Sequence, residues 1–123
     1  MRKKISKQER ELVYLKYDGH CAYCGKKIDY KEMQVDHINA VYQAEYYGKE
    51  VDNSLENYNP ACRQCNFYKD TFTIEEFRYN IKHTLIRKLE RDFNYKMLIK
   101  YGLLEQHDIP VTFYFEKDKR ICQ

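Results

Sequence analysis

The sequence predicts a small α+β fold held together by a metal staple, on three observations. Two Cys-x-x-Cys pairs, Cys21–Cys24 and Cys62–Cys65, stand at metal-ligand spacing. Two short stretches with strand character lie between the pairs, and capped amphipathic stretches on either side read as helices. A chain of 123 residues fits one domain, large enough to bury a core and small enough to gain from a bound metal.

The first element is a helix from about Lys7 to Tyr17. Ser6-Lys7-Gln8-Glu9 has the form of a capping box, Leu12, Val13, Leu15 and Tyr17 supply an apolar side, and Asp18-Gly19 ends it. The first knuckle follows as a tight turn, with Gly25 supplying backbone freedom. Met33 to Ile38 alternates as a short strand, and Asn57 to Pro60 reads as its return, ended by the proline. Residues 39–56 show no clean period and read as a long loop, with a helical turn near Val41 to Tyr47. A helix beginning near Cys62 carries Asn66 and Lys69. Thr73 caps the next helix, in which Phe77, Ile81, Leu85, Leu89 and Phe93 recur every four residues. The β-branched and aromatic run Ile109 to Glu116 predicts a C-terminal strand.

Charge and composition narrow the classes. The net charge of +3 is too small to announce nucleic acid by itself, although basic residues gather in the first ten positions and between Lys82 and Lys100. Nothing approaches the roughly 20 apolar residues of a membrane span, so a soluble, cytoplasmic protein with no membrane partner is expected. Four of the five cysteines fall in two close pairs, which suits a metal in a reducing compartment better than a disulfide framework. Cys122 is left over as a free thiol. Four thiolates fill a tetrahedral zinc site without an open position, so Cys21, Cys24, Cys62 and Cys65 predict structural rather than catalytic zinc.

Inside the staple stands Asp36-His37, a carboxylate able to hold a hard divalent cation beside an imidazole able to take a proton from water near neutral pH. Successive strand residues point to opposite sides, so the dipeptide alone does not define a site. Asn57, at the start of the return strand, and Asn66, directly after the last cysteine, add the company that does.

In this ordered combination the sequence resembles the HNH endonuclease family, in its zinc-stapled bacterial and phage branch. The matching pieces are Cys-Ala-Tyr-Cys-Gly at 21–25, Val-Asp-His-Ile at 35–38, Glu-Asn-Tyr-Asn-Pro-Ala-Cys-Arg-Gln-Cys-Asn at 56–66, and Lys69. The resemblance implies a ββα-metal (His-Me finger) core over residues 6–79, with a helical extension and strand over 74–123, in a single domain. It implies a metal-dependent endonuclease acting on DNA, in an H-N-N version of the motif. His37 matches the general base, Asp36 and Asn66 the ligands of a catalytic Mg2+ or Mn2+, and Asn57 the asparagine that braces the loop and the base. The four cysteines match the structural zinc ligands.

Arg63 and Lys69, near the helix expected to face phosphate, are candidate DNA contacts. The family's proline and glycine pair after the histidine are absent from Asn39-Ala40-Val41-Tyr42-Gln43-Ala44, which predicts a more ordered or helical loop here. Tyr42, Tyr46, Tyr47 and Tyr58 read as packing residues, with base stacking as the alternative.

The implied setting is a bacterial host cell with a phage or prophage origin. A phage packaging complex as partner, and a homodimer through the leucine-rich helix, are left open. Two other functional readings stay open as well: a catalytically inactive zinc-stapled nucleic-acid-binding module, and a structural or regulatory phage protein on a retired nuclease fold.

Overall fold

The protein is described here by a computed structural model over residues 4–117. Cys122 and the basic residues Arg2 and Lys3 lie outside the described residues.

Helix α1 (Lys7–Leu15) begins with the expected capping box: the Ser6 hydroxyl accepts from the Glu9 amide, and the Glu9 carboxylate accepts from the Ser6 amide. Its inner side carries Val13, which is fully buried. The knuckle Cys21–Cys24 follows. Gly25 there adopts φ 80°, and a Cβ at that position would meet the Tyr114 ring at 2.7 Å, so both conformation and space demand glycine.

Strands β1 (Gln34–His37) and β2 (Tyr58–Ala61) form one antiparallel hairpin, with Asp36 opposite Asn59 and His37 opposite Tyr58. Pro60 has no N–H to donate, but its carbonyl accepts the Ala22 amide at 2.8 Å and ties β2 to the first knuckle. All four residues of β2 are buried, so this strand lies inside the molecule, not on a wet face.

Between the strands the chain forms helix α2 (Val41–Tyr46) and a 3-10 turn at Leu55–Asn57. Helix α3 (Arg63–Lys69) starts at Cys62, whose sulfur accepts the Cys65 amide as an N-cap, and packs against β1 and α4. The result is a β-hairpin with a helix laid against it, the ββα arrangement of an α+β core.

Thr73 caps α4 (Ile74–Tyr79) with a second capping box. A π-helical turn at Asn80–Thr84 leads into α5 (Leu85–Glu90), and α6 (Phe93–Lys100) follows a break at Asp92. The apolar row spaced by four does not stay on one face. In a helix of 3.6 residues per turn each step of four advances by about 40°. Exposure rises from 1% at Phe77 to 40% at Leu85 and 47% at Leu89, and Phe93, which starts a separate helix beyond Asp92, is 72% exposed.

The C-terminal strand is not formed. Residues 104–113 have no regular structure, and Tyr114–Lys117 is a short helix, α7. The segment does not pair with the two-stranded sheet. Its backbone instead donates from Tyr114 and Phe115 to the carbonyls of Tyr23 and Ala22, at 3.0 and 2.8 Å. Phe113 inserts into the core, stacked on Phe77 at 5.0 Å and edge-on to Tyr23 at 5.4 Å. Of this run only Phe113 is buried, Val111 and Phe115 are partly buried against the core, and Ile109 is exposed, so the apolar composition marks one anchoring ring and not strand pairing.

Candidate active site and cysteine cluster

The two knuckles converge. The sulfurs of Cys21, Cys24, Cys62 and Cys65 all lie within 4.8 Å of one another, and they form the one such cluster of metal-ligating side chains among the described residues. Sulfurs bound at about 2.3 Å around one tetrahedral centre stand roughly 3.8 Å apart. The Cys24–Cys62 separation is 3.9 Å. Backbone amides of Tyr23, Lys26 and Cys65 each donate to a ligand sulfur at 3.4 Å, which disperses the negative charge that thiolates would carry. The Cys21 thiol is pushed down to about 4, first by the hydrogen bond from Cys65, and that same contact pushes Cys65 upward. Four crowded sulfurs competing for protons are well suited to a tetrahedral cation.

Next to this cluster a cleft of about 770 Å³ is lined by Asp36, His37 and Asn66 among others. These three come from the end of β1 and the middle of α3. Asp36 and His37 have opposite parity in the strand, yet both border the cleft because β1 ends there and α3 lies across it. His37 is 5% exposed, with its ring edge-on to Tyr58 at 4.9 Å.

Asn57 does not line the cleft. It is buried, and its amide side chain holds the following loop from three points: Oδ1 accepts the Asn39 amide at 2.8 Å, while Nδ2 donates to the carbonyls of Asn39 and Asp52. Its own carbonyl accepts the Ile38 amide at 2.8 Å, one residue beyond the histidine. The side chain therefore braces the backbone on which His37 sits.

Asp36 is engaged through both carboxylate oxygens. Its Oδ2 accepts from the Tyr23 hydroxyl at 2.5 Å and lies 3.1 Å from the Lys69 ammonium, which also reaches Oδ1 at 3.4 Å. Burial pushes its carboxyl up from the ordinary carboxylate range, and the Lys69 charge and the Tyr23 hydrogen bond pull it back. The Tyr23 phenol is raised by burial first and then by the Asp36 charge. An ionised carboxylate offers about four acceptor positions, so Asp36 keeps capacity toward the cleft. With the Asn66 amide bordering the same cleft, the donor set is oxygen-rich and fits a hard divalent cation.

Lys69 corrects the expectation of a DNA contact. The side chain has no exposed surface, and besides Asp36 its ammonium donates to the His37 carbonyl at 3.0 Å. A cation buried against a carboxylate and a strand carbonyl is not presented to an external phosphate. Arg63, in contrast, is exposed on the first turn of α3 and lies outside the cleft. The tyrosines also divide. Tyr58 is fully buried, whereas Tyr42, Tyr46 and Tyr47 are exposed on and just after α2, with Tyr42 and Tyr46 stacked at 6.1 Å.

Tyr23 escaped the sequence reading altogether. A tyrosine enclosed between two ligand cysteines reads as knuckle filler, and only its position in space joins it to Asp36. Lys69 left a clearer signal: it follows Asn66 at i+3, so the two share a helix face and must approach β1 together.

The family model for HNH endonuclease matches residues 21–71. Over 68 residues the chain is 35% identical to a protein of Bacillus subtilis (strain 168) named "SPbeta prophage-derived putative HNH endonuclease YoqL", covering 52% of this chain and 28% of that one. The match thus takes in little more than a quarter of the relative's length. The family model and the four-cysteine cluster fall on the same segment, so residues 21–71 of this chain are similar to HNH endonucleases.

Proposed function

We propose that the protein is a metal-dependent endonuclease that hydrolyses phosphodiester bonds in DNA, with His37 as general base. The observation that carries this reading is the convergence of Asp36, His37 and Asn66 on one cleft beside the cysteine cluster. Simple binding of nucleic acid would require no such constellation.

In this reading Cys21, Cys24, Cys62 and Cys65 hold a structural zinc, while the Asp36 carboxylate and the Asn66 amide oxygen hold Mg2+ or Mn2+. A divalent cation there supplies charge neutralisation at the phosphate and at the departing oxygen. His37 takes the proton from a water molecule that attacks phosphorus. The bond to the 3' oxygen breaks, that oxygen acquires a proton, and the products carry a 3'-hydroxyl and a 5'-phosphate. Asn57 keeps the His37 backbone in register through Ile38 and Asn39. Arg63 is the remaining candidate for a phosphate contact.

Residues 6–79 would then form the catalytic core and 74–123 an extension of the same domain. No described helix is long and apolar enough to cross a membrane. A cytoplasmic setting in a bacterial host, with a phage or prophage origin, is consistent with the relative's printed name.

The test is cleavage of supercoiled plasmid by purified, zinc-loaded protein with Mg2+, Mn2+ or EDTA, beside His37→Ala. A general base contributes about 10² to 10⁴ in rate, so the variant should cut at least roughly a hundredfold more slowly while keeping its fold. Unchanged turnover by the variant would remove His37 from the mechanism. An inactive wild-type protein that still binds DNA would favour the binding-module reading.

A further inference from the structure

We infer that Tyr23 is a positioning residue for the catalytic metal, carrying the order of the cysteine knuckle directly to the Asp36 carboxylate. The inference rests on the reading of Asp36 as a metal ligand and adds to it a residue inside the other metal site's own loop.

The case begins with the environment of the tyrosine. Tyr23 is 3% exposed, and its ring is edge-on to Phe77, Phe113 and Phe115 at 5.3, 5.4 and 5.9 Å. Packing alone would be met by phenylalanine at this position. A hydroxyl brought into such surroundings without a partner would carry the full cost of losing its water. Here it has a specific partner, donating to Asp36 Oδ2 at 2.5 Å. The Asn59 amide lies behind it, donating to the phenol oxygen at 3.4 Å from the position directly across the hairpin from Asp36.

The other end of Tyr23 is equally fixed. Its backbone amide donates to Cys21 Sγ at 3.4 Å, and its carbonyl accepts the Tyr114 amide at 3.0 Å. The residue is therefore anchored by the sulfur cluster at its backbone and delivers one hydrogen bond to Asp36 at its tip. Lys69 holds the same carboxylate from a second direction, from α3, which the second knuckle starts. Asp36 is pinned between a residue of the first knuckle loop and a residue of the helix capped by Cys62. What remains of its coordination capacity faces the cleft bordered by Asn66. Outer partners that orient metal-ligating side chains typically change metal affinity by about 10- to 100-fold when removed.

The experiment is direct Mn2+ binding by electron paramagnetic resonance, without DNA, on zinc-loaded wild type, Tyr23→Phe and Phe113→Leu. Zinc content and urea unfolding are measured on the same samples. The hydroxyl deletion should keep one zinc per chain and weaken Mn2+ binding by about 10-fold or more. Its cleavage rate should climb back toward the wild-type value as Mn2+ is raised. Phe113→Leu disturbs the ring packing around Tyr23 and leaves the hydroxyl, so it should lower stability without moving Mn2+ affinity. Wild-type Mn2+ affinity in Tyr23→Phe would overturn the inference alone, as would equal weakening in Phe113→Leu. A wild-type protein that binds no Mn2+ would overturn it together with the reading of Asp36.

Discussion

Lysine is almost never fully buried without a partner, because its ammonium must give up water. At Lys69 that loss is offset by a carboxylate at 3.1 Å and a strand carbonyl at 3.0 Å. Removing one member of a buried ion pair strands the other, at a cost of about 3–5 kcal/mol, whereas removing both is far milder. Lys69→Met should therefore destabilise the protein by roughly that amount in urea unfolding, and Asp36→Asn in the same chain should recover a large part of it. Strictly additive losses would show that the two side chains do not depend on each other. The pair also marks how far the site could be read from sequence. That Asp36, His37 and Asn66 meet at one cleft is legible because motif order is a local property of a chain. The burial of Lys69 was not, since a lysine on a seven-residue helix ordinarily points to water, and only its i+3 relation to Asn66 hinted otherwise. The exposure of Tyr42, Tyr46 and Tyr47 was equally hidden, because tyrosine is at home on either side of a surface.

Among the elements, the helices declared themselves through their caps, and the hairpin through the short apolar alternation before Asp36-His37. The C-terminal segment departs from the expected strand because β-branched and aromatic residues favour strands only where a partner strand pairs with them, and here Phe113 alone of the run is buried while Ile109 is exposed. Its actual anchor is Arg78 of α4. The guanidinium donates to both Glu116 carboxylate oxygens at 2.8 and 2.6 Å and to the Val111 carbonyl at 2.6 Å, and it lies 4.9 Å from the Phe113 ring centre. Such a planar fork cannot be reproduced by a point charge, so Arg78→Lys should behave much like Arg78→Ala. Both variants should loosen residues 104–117, seen as faster proteolytic cleavage within that stretch. Resistance equal to wild type would mean that Phe113 and the backbone bonds of Tyr114 and Phe115 hold the segment without Arg78. The anchor also has a pH signature. The hydrogen bond from Arg78 holds the Glu116 carboxyl below its ordinary value of 4.5, so the folded state favours the ionised form. That contribution is present above the ordinary value and disappears as pH falls through the lowered one. The wild-type segment should become protease-sensitive on acidification below about pH 4.5, while Glu116→Gln should be loose already at neutral pH and change little with acid.

At the scale of the whole molecule, one cluster of sulfurs joins every part that the site requires. Cys21 and Cys24 fix the loop that reaches Asp36 through Tyr23, and Cys62 and Cys65 start the helix that carries Asn66 and Lys69. The hairpin between them has only two strands of four residues, too little sheet to be stable by itself in water. Zinc bound to four thiolates contributes roughly 10–16 kcal/mol of apparent binding free energy near neutral pH, against a total stability of about 5–15 kcal/mol for an ordinary domain. The two figures are of the same size, so the metal-free chain should not hold its native core. Titration with a strong zinc chelator at pH 7 should accordingly give one cooperative loss of tertiary structure. The chain has 13 tyrosines and no tryptophan, so near-ultraviolet circular dichroism of tyrosine reports it directly, Tyr23 and Tyr58 being wholly enclosed in the core. Zinc release and loss of that signal should coincide, and Cys62→Ser should give the same spectrum without chelator. If the protein surrendered its zinc and kept the tyrosine signal, the aromatic core of Phe77, Phe113 and Tyr23 would be sufficient for folding, and the cluster would be holding the cleft alone.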